Sequence, residues 1–556
     1  MEPMTSEDRR AFLRRFMPPP GMSAPEMPAP VAARAAAPEA STITAGPLAP
    51  LGIEAGLEPY TAPLDARRAA HLLRRACFGA APDRVADFTG RAADEVVDEL
   101  VDEALARPLP EPPSWAETPP PPRGSSEEAF QAYFEDNAMW LRQYRSDWFR
   151  EMIDGGLRER MTLFWHDHFV TATQAYALAP FAHRYLTLLR THALGNFQQF
   201  VYEVGIDPAM LIYLNGNVNE FGAPNENYAR ELLELFTMGQ YDHLGQENYT
   251  QEDILEIARA LTGWVVDYFA LQVYFLFFLH DGGEKSFMGR TGAFGYDDVV
   301  EIIFEERAEA VAHFICRKLY EEFVYAAPDE ALVDELATVF VENGFEIAPV
   351  MRALLKSAHF FDEQVVGARV KSPAELMTGL LIETKAEPSE AIYELMPRAG
   401  FFMGQWVLDP PNVAGWPGHH NWLTTTTLPI RWIVQDVMLY GDGGAQPLDL
   451  TALAAGVYDA ADPYAGVYLP AALAEHLLPV PVETLDIGEV DGEFVGNLEA
   501  NPIPDEVLDT PHMKNLAMVF LAGIPWYEWT LSSNDANNRL LGFVRYLMQF
   551  PEFHLT

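Results

Sequence analysis

Apolar residues recur at three- and four-residue spacings along most of this chain, which is the pattern of amphipathic α-helices. Phe130, Tyr133, Phe134 and Tyr144 follow it within residues 127–155. Because helical side chains three and four positions apart share one face, each such run predicts a helix with a buried side. The same spacing predicts helices over 65–79, 92–106, 157–169, 180–194, 197–204, 225–238 and 250–262, and later over 296–304, 307–323, 329–342, 347–357, 372–384 and 428–439.

The remaining pattern divides the chain into a helical body, an N-terminal arm and an insertion. The apolar stretch 269–279 is too short to cross a membrane, and its Val, Tyr and Phe content is typical of a strand or hairpin. We therefore predict a mainly α fold: one large multi-helix domain with a short β-hairpin over 63–441, completed by C-terminal helices over 510–556. A Pro/Ala-rich arm over 1–62 is predicted to be flexible and disordered, and 442–509 to be an irregular acidic insertion.

The charge balance narrows the function. The chain has 37 basic and 81 acidic residues, a formal net charge of −44. Such a field repels phosphate backbones, so we expect no nucleic-acid partner. Acidic residues in excess with only six lysines are typical of a halophilic protein, whose surface charges are screened by salt; a generally acidic, GC-rich genome would explain the same composition.

The N-terminus and the cysteines bear on the cellular compartment. Arg9 and Arg10 lie in a motif similar to a twin-arginine export signal, but prolines follow where such a signal has an apolar segment. Export to the periplasm or cell exterior and retention in the cytoplasm therefore both stay open. Cys77 and Cys316 are too few for a disulfide framework and are predicted to be buried thiols rather than a pair.

A histidine segment, Leu163-Phe164-Trp165-His166-Asp167-His168-Phe169, is the first candidate site. Imidazole and carboxylate groups together suggest a divalent metal ion, with His166 and His168 as ligands. Residues two apart point to opposite sides of a helix, so chelation by both requires the helix to end near Trp165. Otherwise one ring caps carbonyls at the helix end and the other packs in the core.

A Glu-Arg segment, residues 225–239, is the second candidate. Asn225 is predicted at the helix start, and Glu226, Arg230 and Glu234 follow at four-residue steps on one face, with Glu231 beside them. A surface ladder of this kind contributes roughly 0.2–0.5 kcal/mol per pair. A buried set could instead orient a general base or bind a divalent ion.

Two further places could bind substrate. Trp264 follows a helix that ends in Leu-Thr-Gly, where its ring could wall a pocket or close over a neighbouring helix. The loop over 410–422 is held irregular by Pro and Gly and carries Asn412, Trp416 and His419. Rigid loops with such residues commonly bind ligands, although this one could also serve only to plug the helical body.

Several of these motifs together resemble a bacterial family called domain of unknown function 1800. The resemblance runs from about residue 65 to the end, apart from the acidic insertion, and rests on residues 71–79, 165–169, 225–239, 258–264, 371–373, 404–405, 410–413, 415–417 and 551–553, with His280, Asp281, Lys285, Gly289 and Arg431. It implies an exported protein of environmental bacteria, encoded beside a secreted, sulfatase-like partner, and it implies no settled activity. Leu214-Asn215-Gly216 departs from the Leu-Asp-Asn typical of that family.

Two classes of function follow from these residues. The first is a metal-assisted, hydrolytic enzyme in which His166 and His168 hold the ion, a glutamate of the Glu-Arg segment acts as ligand or base, and Arg230 stabilises developing negative charge. The second is a non-catalytic binding or assembly protein that docks the sulfatase-like partner through the 410–422 loop. Convergence of both segments on one pocket would favour the enzyme.

Overall fold

The structure is a computed structural model that describes residues 48–441, 446–488, 490 and 492–556. Helices dominate these residues, as the apolar spacing predicts. The first half contains α1 (Ala66–Ala76), α2 (Pro82–Phe88), α3 (Ala93–Ala106), α4 (Glu127–Asp154), α5 (Gly156–His168), α6 (Thr173–Tyr176), α7 (Ala179–Thr191), α8 (Phe197–Gly205), α9 (Pro208–Tyr213), α10 (Asn227–Glu231) and α11 (Gln251–Ala260). The second half contains α12 (Tyr296–Glu306), α13 (Ala308–Phe323), α14 (Glu330–Glu342), α15 (Ile347–Lys356), α16 (Pro373–Thr384), α17 (Glu390–Phe402), α18 (Thr427–Tyr440), α19 (Thr451–Val457), α20 (Ala465–Leu477), α21 (Asp505–Asp509), α22 (Pro511–Leu521) and α23 (Ala536–Leu547).

Two small antiparallel hairpins interrupt the helices. Strand β1 (Trp264–Asp267) pairs with β2 (Gln272–Phe275), and β3 (Lys285–Phe287) pairs with β4 (Arg290–Gly292). The predicted strand over 269–279 therefore corresponds to β2 and the turns on either side of it. The fold is mainly α, with β structure confined to these hairpins among the described residues.

Helix α5 runs through the middle of the body. It packs against α3 and α7, and every residue from Leu157 to His168 is buried except Asp167. A helix surrounded on all sides needs partners for its polar groups. It has them: Glu159, for example, accepts hydrogen bonds from the indole of Trp148 and the guanidinium of Arg190.

A pair of glycines sets the direction of α5. Gly156 has a φ of 55°, and a Cβ on Gly155 would lie 2.0 Å from Cγ of Glu159. Only residues without side chains allow so sharp a junction between α4 and α5. The junction turns α5 back into the core, so that its last turn, with Asp167, is held at a fixed place.

The N-terminal arm and the acidic segment each differ in part from what the sequence predicts. Residues 1–47 of the predicted flexible arm lie outside the described residues, but the arm's last part is attached to the body: the amide of Tyr60 donates to the carbonyl of Lys356, and Ile53 is buried. The segment over 442–509 is more regular than its composition suggests, because α19 and α20 form within it. Pro470 lies inside α20 and disguises its helical period in the sequence.

Both cysteines are buried free thiols, as the sequence predicts. Burial raises the pKa of Cys77 to about 12 and that of Cys316 further. Among the described residues, no helix has both the length and the apolar character that crossing a bilayer requires.

Candidate functional site

Asp167, in the last turn of α5, is the one partly exposed side chain on that helix after Gly156. Its Oδ1 accepts a hydrogen bond of 2.6 Å from the amide of Trp416, in the loop that follows α17. The preceding residue is Gly415, with a φ of 85°, and a Cβ there would lie 2.3 Å from the same oxygen. The loop therefore rests directly on the carboxylate, and position 415 has room only for glycine.

Lys318, on α13, lies within electrostatic range of this carboxylate. Its ammonium donates to Nδ1 of His168 at 3.2 Å and to the carbonyl of Leu235 at 3.3 Å. Burial holds the pKa of His168 well below its usual range, so its ring is neutral. Because Nδ1 accepts from the lysine, Nε2 carries the proton and donates to the carbonyl of Phe236 at 3.0 Å. His168 thus positions Lys318.

The two charged groups titrate near neutrality. Burial raises the pKa of Asp167 to about 7, with the charge of Glu322 adding to the effect and the amide of Trp416 opposing it. Burial lowers the pKa of Lys318 to about 8, with Asp167 opposing that shift. An acid and a base moved towards neutral pH at one partly open place are typical of proton-transfer sites.

A buried charge network holds the region behind Asp167. Nη2 of Arg160 lies 2.5 Å from Glu322 and 2.9 Å from Glu375, and Arg369 lies 3.2 Å and 3.4 Å from the same two carboxylates. Burial would raise the pKa of Glu375, but the two guanidinium groups hold it down to about 2. Removing one partner from such a network leaves an uncompensated buried charge, so the network fixes α5, α13 and α16 together.

His166 is fully buried and serves the same loop from inside. Its Nε2 accepts a hydrogen bond of 3.0 Å from the amide of Leu408, and its ring packs edge-on against Trp148 and Trp416. Burial lowers its pKa to about 3, so the ring stays neutral. Its role in this structure is to hold the chain at Leu408 and the indole of Trp416.

The histidine pair does not meet the condition for shared metal ligation. Helix α5 continues to His168 instead of ending near Trp165, so the rings of His166 and His168 occupy separate environments and make separate hydrogen bonds. Within the described residues, the group whose ligand atoms come within 4.8 Å of one another is His243, His313 and Asp334, elsewhere in the fold.

The Glu-Arg segment does not form the regular ladder that its spacing predicts. Glu226 and Arg230 form an ion pair of 2.9 Å that is more than a third exposed on both sides, and Gln251 bridges it. After α10 the backbone makes a π-helical turn, Leu232–Thr237. The wider turn takes Glu234 out of the four-residue register.

Glu231 and Glu234 instead face tyrosines. Burial raises the pKa of Glu231 to about 7, and the neighbouring charge of Glu234 adds to the shift. Tyr213 lies within electrostatic range of Glu231, and Tyr249 lies within electrostatic range of Glu234. Glu231 is therefore the one glutamate of the predicted set whose environment suits proton transfer.

Asn225 and Trp264 have local roles in this structure. Oδ1 of Asn225 accepts from the amide of Asn227 at 2.9 Å, which closes the turn before α10. Trp264 lies in β1, opposite Phe275, and its ring packs against that side chain. Neither contact joins them to the Asp167 region.

The loop residues are closer to the candidate site. Oδ1 of Asn412 accepts from the amide of Ala414 and shapes the loop, while the indole of Trp416 is buried against His166 and offers no open face. His419 is partly buried; burial lowers its pKa, Arg369 adds to this, and Glu322 opposes it. The structure thus joins the predicted loop to the histidine segment, with Asp167 between them.

Sequence reasoning missed Asp167 and Lys318 as the central pair. Asp167 lay inside the quoted histidine segment, and the signal was its position: on an unbroken helix it faces away from its two neighbours. Lys318 carried a weaker signal, as one of six lysines, placed on a largely apolar helix. The partners of Arg160 come from α13 and α16, far away in sequence, and no local pattern predicts such a network.

Comparison with known proteins gives one match. A family model described as "Protein of unknown function (DUF1800)" matches residues 71–553, which is most of the chain. No curated protein matches the chain, and no solved structure does. The geometry of the site is therefore the basis on which a function can be argued.

Proposed function

Since the chain belongs to the DUF1800 family, whose description carries no activity, we propose its function from the site: a hydrolytic enzyme that uses Asp167 as the general base and Lys318 as a stabilising positive charge. The observation that carries the proposal is the isolation of Asp167. It is the one partly exposed side chain between Leu157 and His168, and the Gly415-Trp416 loop fixes its orientation.

Asp167 acts as the general base. Its Oδ1 is engaged by the amide of Trp416, and Oδ2 accepts no hydrogen bond from the described residues, so Oδ2 takes a proton from the attacking water. With a pKa of about 7 the carboxyl is about half ionised at neutral pH, which lets it accept this proton and return it to the leaving group.

Lys318 supplies the positive charge. Its ammonium, positioned by His168 and the carbonyl of Leu235, stabilises negative charge that develops on the substrate oxygen. The net charge of −44 disfavours anionic substrates at long range. Neutral esters and amides are therefore the substrate class that fits both features.

The test is a comparison of the wild-type chain with Asp167→Asn on a panel of chromogenic esters, amides, phosphate esters and sulfate esters. We expect hydrolysis of a neutral substrate, a kcat about 100-fold or more lower in Asp167→Asn, and a rising limb of kcat/KM centred near pH 7. Asp136→Asn, on the exposed side of α4, is the matched control and keeps full activity.

Three results would overturn the proposal. Equal turnover by wild type and Asp167→Asn would remove Asp167 from the chemistry, and a loss confined to Glu231→Gln would move the site to the Glu-Arg segment. No turnover on the whole panel, with capture of the sulfatase-like partner by wild type and Asp167→Asn alike, would also overturn it and assign the partner role instead.

The partner role has one observation in its favour. Phe401 and Phe402, at the end of α17, and Trp432 and Ile433, on the adjoining α18, are large apolar side chains exposed to solvent. Exposed apolar groups concentrated on neighbouring elements mark protein-binding surfaces. This surface, rather than the buried Trp416, would carry a docking function.

A further inference from the structure

Three ligand-type side chains from separate segments meet beside α13. His243 lies in the turn between Tyr241 and Glu247, His313 lies on α13, and Asp334 lies on α14. One ligand atom from each residue comes within 4.8 Å of the others. These residues are 70 and 21 positions apart in sequence, so no local motif predicts their meeting.

His313 is the centre of the group. Its Nε2 is buried without a hydrogen bond and lies 3.5 Å from Oδ1 of Asp334 and 3.2 Å from Oε2 of Glu330. A buried ring nitrogen that faces two carboxylates, with no hydrogen bond to satisfy it, is the arrangement that a cation completes. Glu330 is therefore available as a fourth ligand.

The imidazole of His243 stacks on that of His313, with ring centroids 4.5 Å apart and an angle of 25° between the rings. The stacking holds the two rings side by side, so that a nitrogen of each ring lies close to the carboxylate of Asp334.

The group is accessible from solvent. A cavity of about 450 Å³ opens beside it and is lined by His243, His313 and Arg317 among others. Arg317 pairs with Glu321 at 3.2 Å and with Oε1 of Glu330 at 3.4 Å, so its charge is partly neutralised, while Oε2 of Glu330 lies towards His313. The cavity gives a metal ion a path to the four side chains.

We propose that His243, His313 and Asp334, with Glu330 as fourth ligand, bind a divalent transition-metal ion of the zinc type. Two imidazoles and carboxylate oxygens are a donor set that zinc prefers over calcium or magnesium. The ion ties the turn at residues 241–247 to α13 and α14. This site is separate from Asp167 and Lys318 and does not depend on the proposed hydrolysis.

The experiment is Zn²⁺ titration of the full chain, carried without a His tag and stripped with a chelator, followed by calorimetry. We expect one Zn²⁺ per chain, a Kd at least about 10-fold weaker in His243→Gln and in His313→Gln, and the visible bands of tetrahedral coordination when Co²⁺ replaces zinc. His420→Gln, an exposed histidine elsewhere, is the matched control and leaves the Kd unchanged.

His243 is exposed, so its substitution leaves the fold intact, which circular dichroism of the metal-free variant verifies. Wild-type protein that takes up no zinc at millimolar concentration would overturn the proposal. Equal weakening by His420→Gln and His243→Gln would overturn it as well, because binding would then be adventitious.

Discussion

At the scale of single residues, Asp167 combines a fixed position with an unfavourable ionisation. Its carboxyl is oriented by the amide of Trp416, yet burial raises its pKa from 3.8 to about 7. Between those two values the unfolded chain releases the proton while the folded chain keeps it. Folding therefore loses stability as pH rises through this window, and the loss is complete above about pH 7.

This gives a prediction for Asp167→Asn, whose amide oxygen can still accept from Trp416 but cannot ionise. Relative to wild type, we expect the free energy of unfolding of the variant to gain about 2 kcal/mol between pH 4 and pH 8, allowing for partial exposure. Urea denaturation at several pH values measures it, with Asp136→Asn as control. A difference that does not change with pH would show that the carboxyl ionises normally.

The histidines show what the sequence could and could not decide at this scale. The spacing of His166 and His168 predicts that they face apart on an unbroken helix, and that helix is what forms. Which atoms they would meet instead depended on Leu408 and Phe236, which other parts of the fold bring to them. The residue type shows that both side chains are imidazoles able to donate or accept hydrogen bonds, but only the tertiary fold determines which groups they bond to.

At the scale of elements, the π-helical turn Leu232–Thr237 links the Glu-Arg segment to Lys318. The carbonyls of Leu235 and Phe236 are turned towards Lys318 and His168. The hydroxyl of Thr237 donates to the carbonyl of Leu232 at 2.6 Å. The turn departs from regular helix, and its carbonyl groups accept hydrogen bonds from side chains of the site.

We therefore expect Thr237→Val to lower the free energy of unfolding by about 1–2 kcal/mol, because the buried carbonyl of Leu232 loses a donor while the shape is kept. Thr338→Val removes the similar bond of an exposed threonine to Asp334 and should cost less than about 0.5 kcal/mol. Chemical denaturation of both variants compares them. Equal costs would mean that the turn does not depend on this hydrogen bond.

Element by element, the period of apolar residues predicts the helices well because burial imposes it directly. It fails in two kinds of place. In the π turn the predicted helix forms but its register shifts. The spacing of apolar residues does not reveal that this turn contains one extra residue. In α20, Ala, Gly and an internal Pro470 conceal a helix that neighbouring α22 stabilises by packing.

At the scale of the whole molecule, the net charge of −44 is spread over a surface with few lysines. Several arginines are instead buried in networks such as that of Arg160 and Arg369. Part of the positive charge therefore neutralises interior carboxylates instead of surface ones, and self-repulsion of the exterior opposes folding.

Salt should relieve this repulsion. The Debye length falls from about 10 Å at 0.1 M to about 3 Å at 1 M salt, so we expect Tm to rise by several degrees over that range of NaCl. Scanning calorimetry measures the shift, and sucrose, which does not screen charge, provides the control. A Tm that rises equally with sucrose, or not at all with NaCl, would contradict a stabilising role for charge screening.

The burial of the two natural cysteines has a practical consequence for site-specific labelling of this protein. Cys77 and Cys316 are buried, and burial raises the pKa of both thiols, so neither forms the thiolate that reacts with maleimides and similar labels. Cysteines introduced at exposed positions are then the reactive thiols among the described residues. Spin labels or fluorophores placed on the 241–247 turn and on α14 can therefore report their separation in the native background, without removing either natural cysteine.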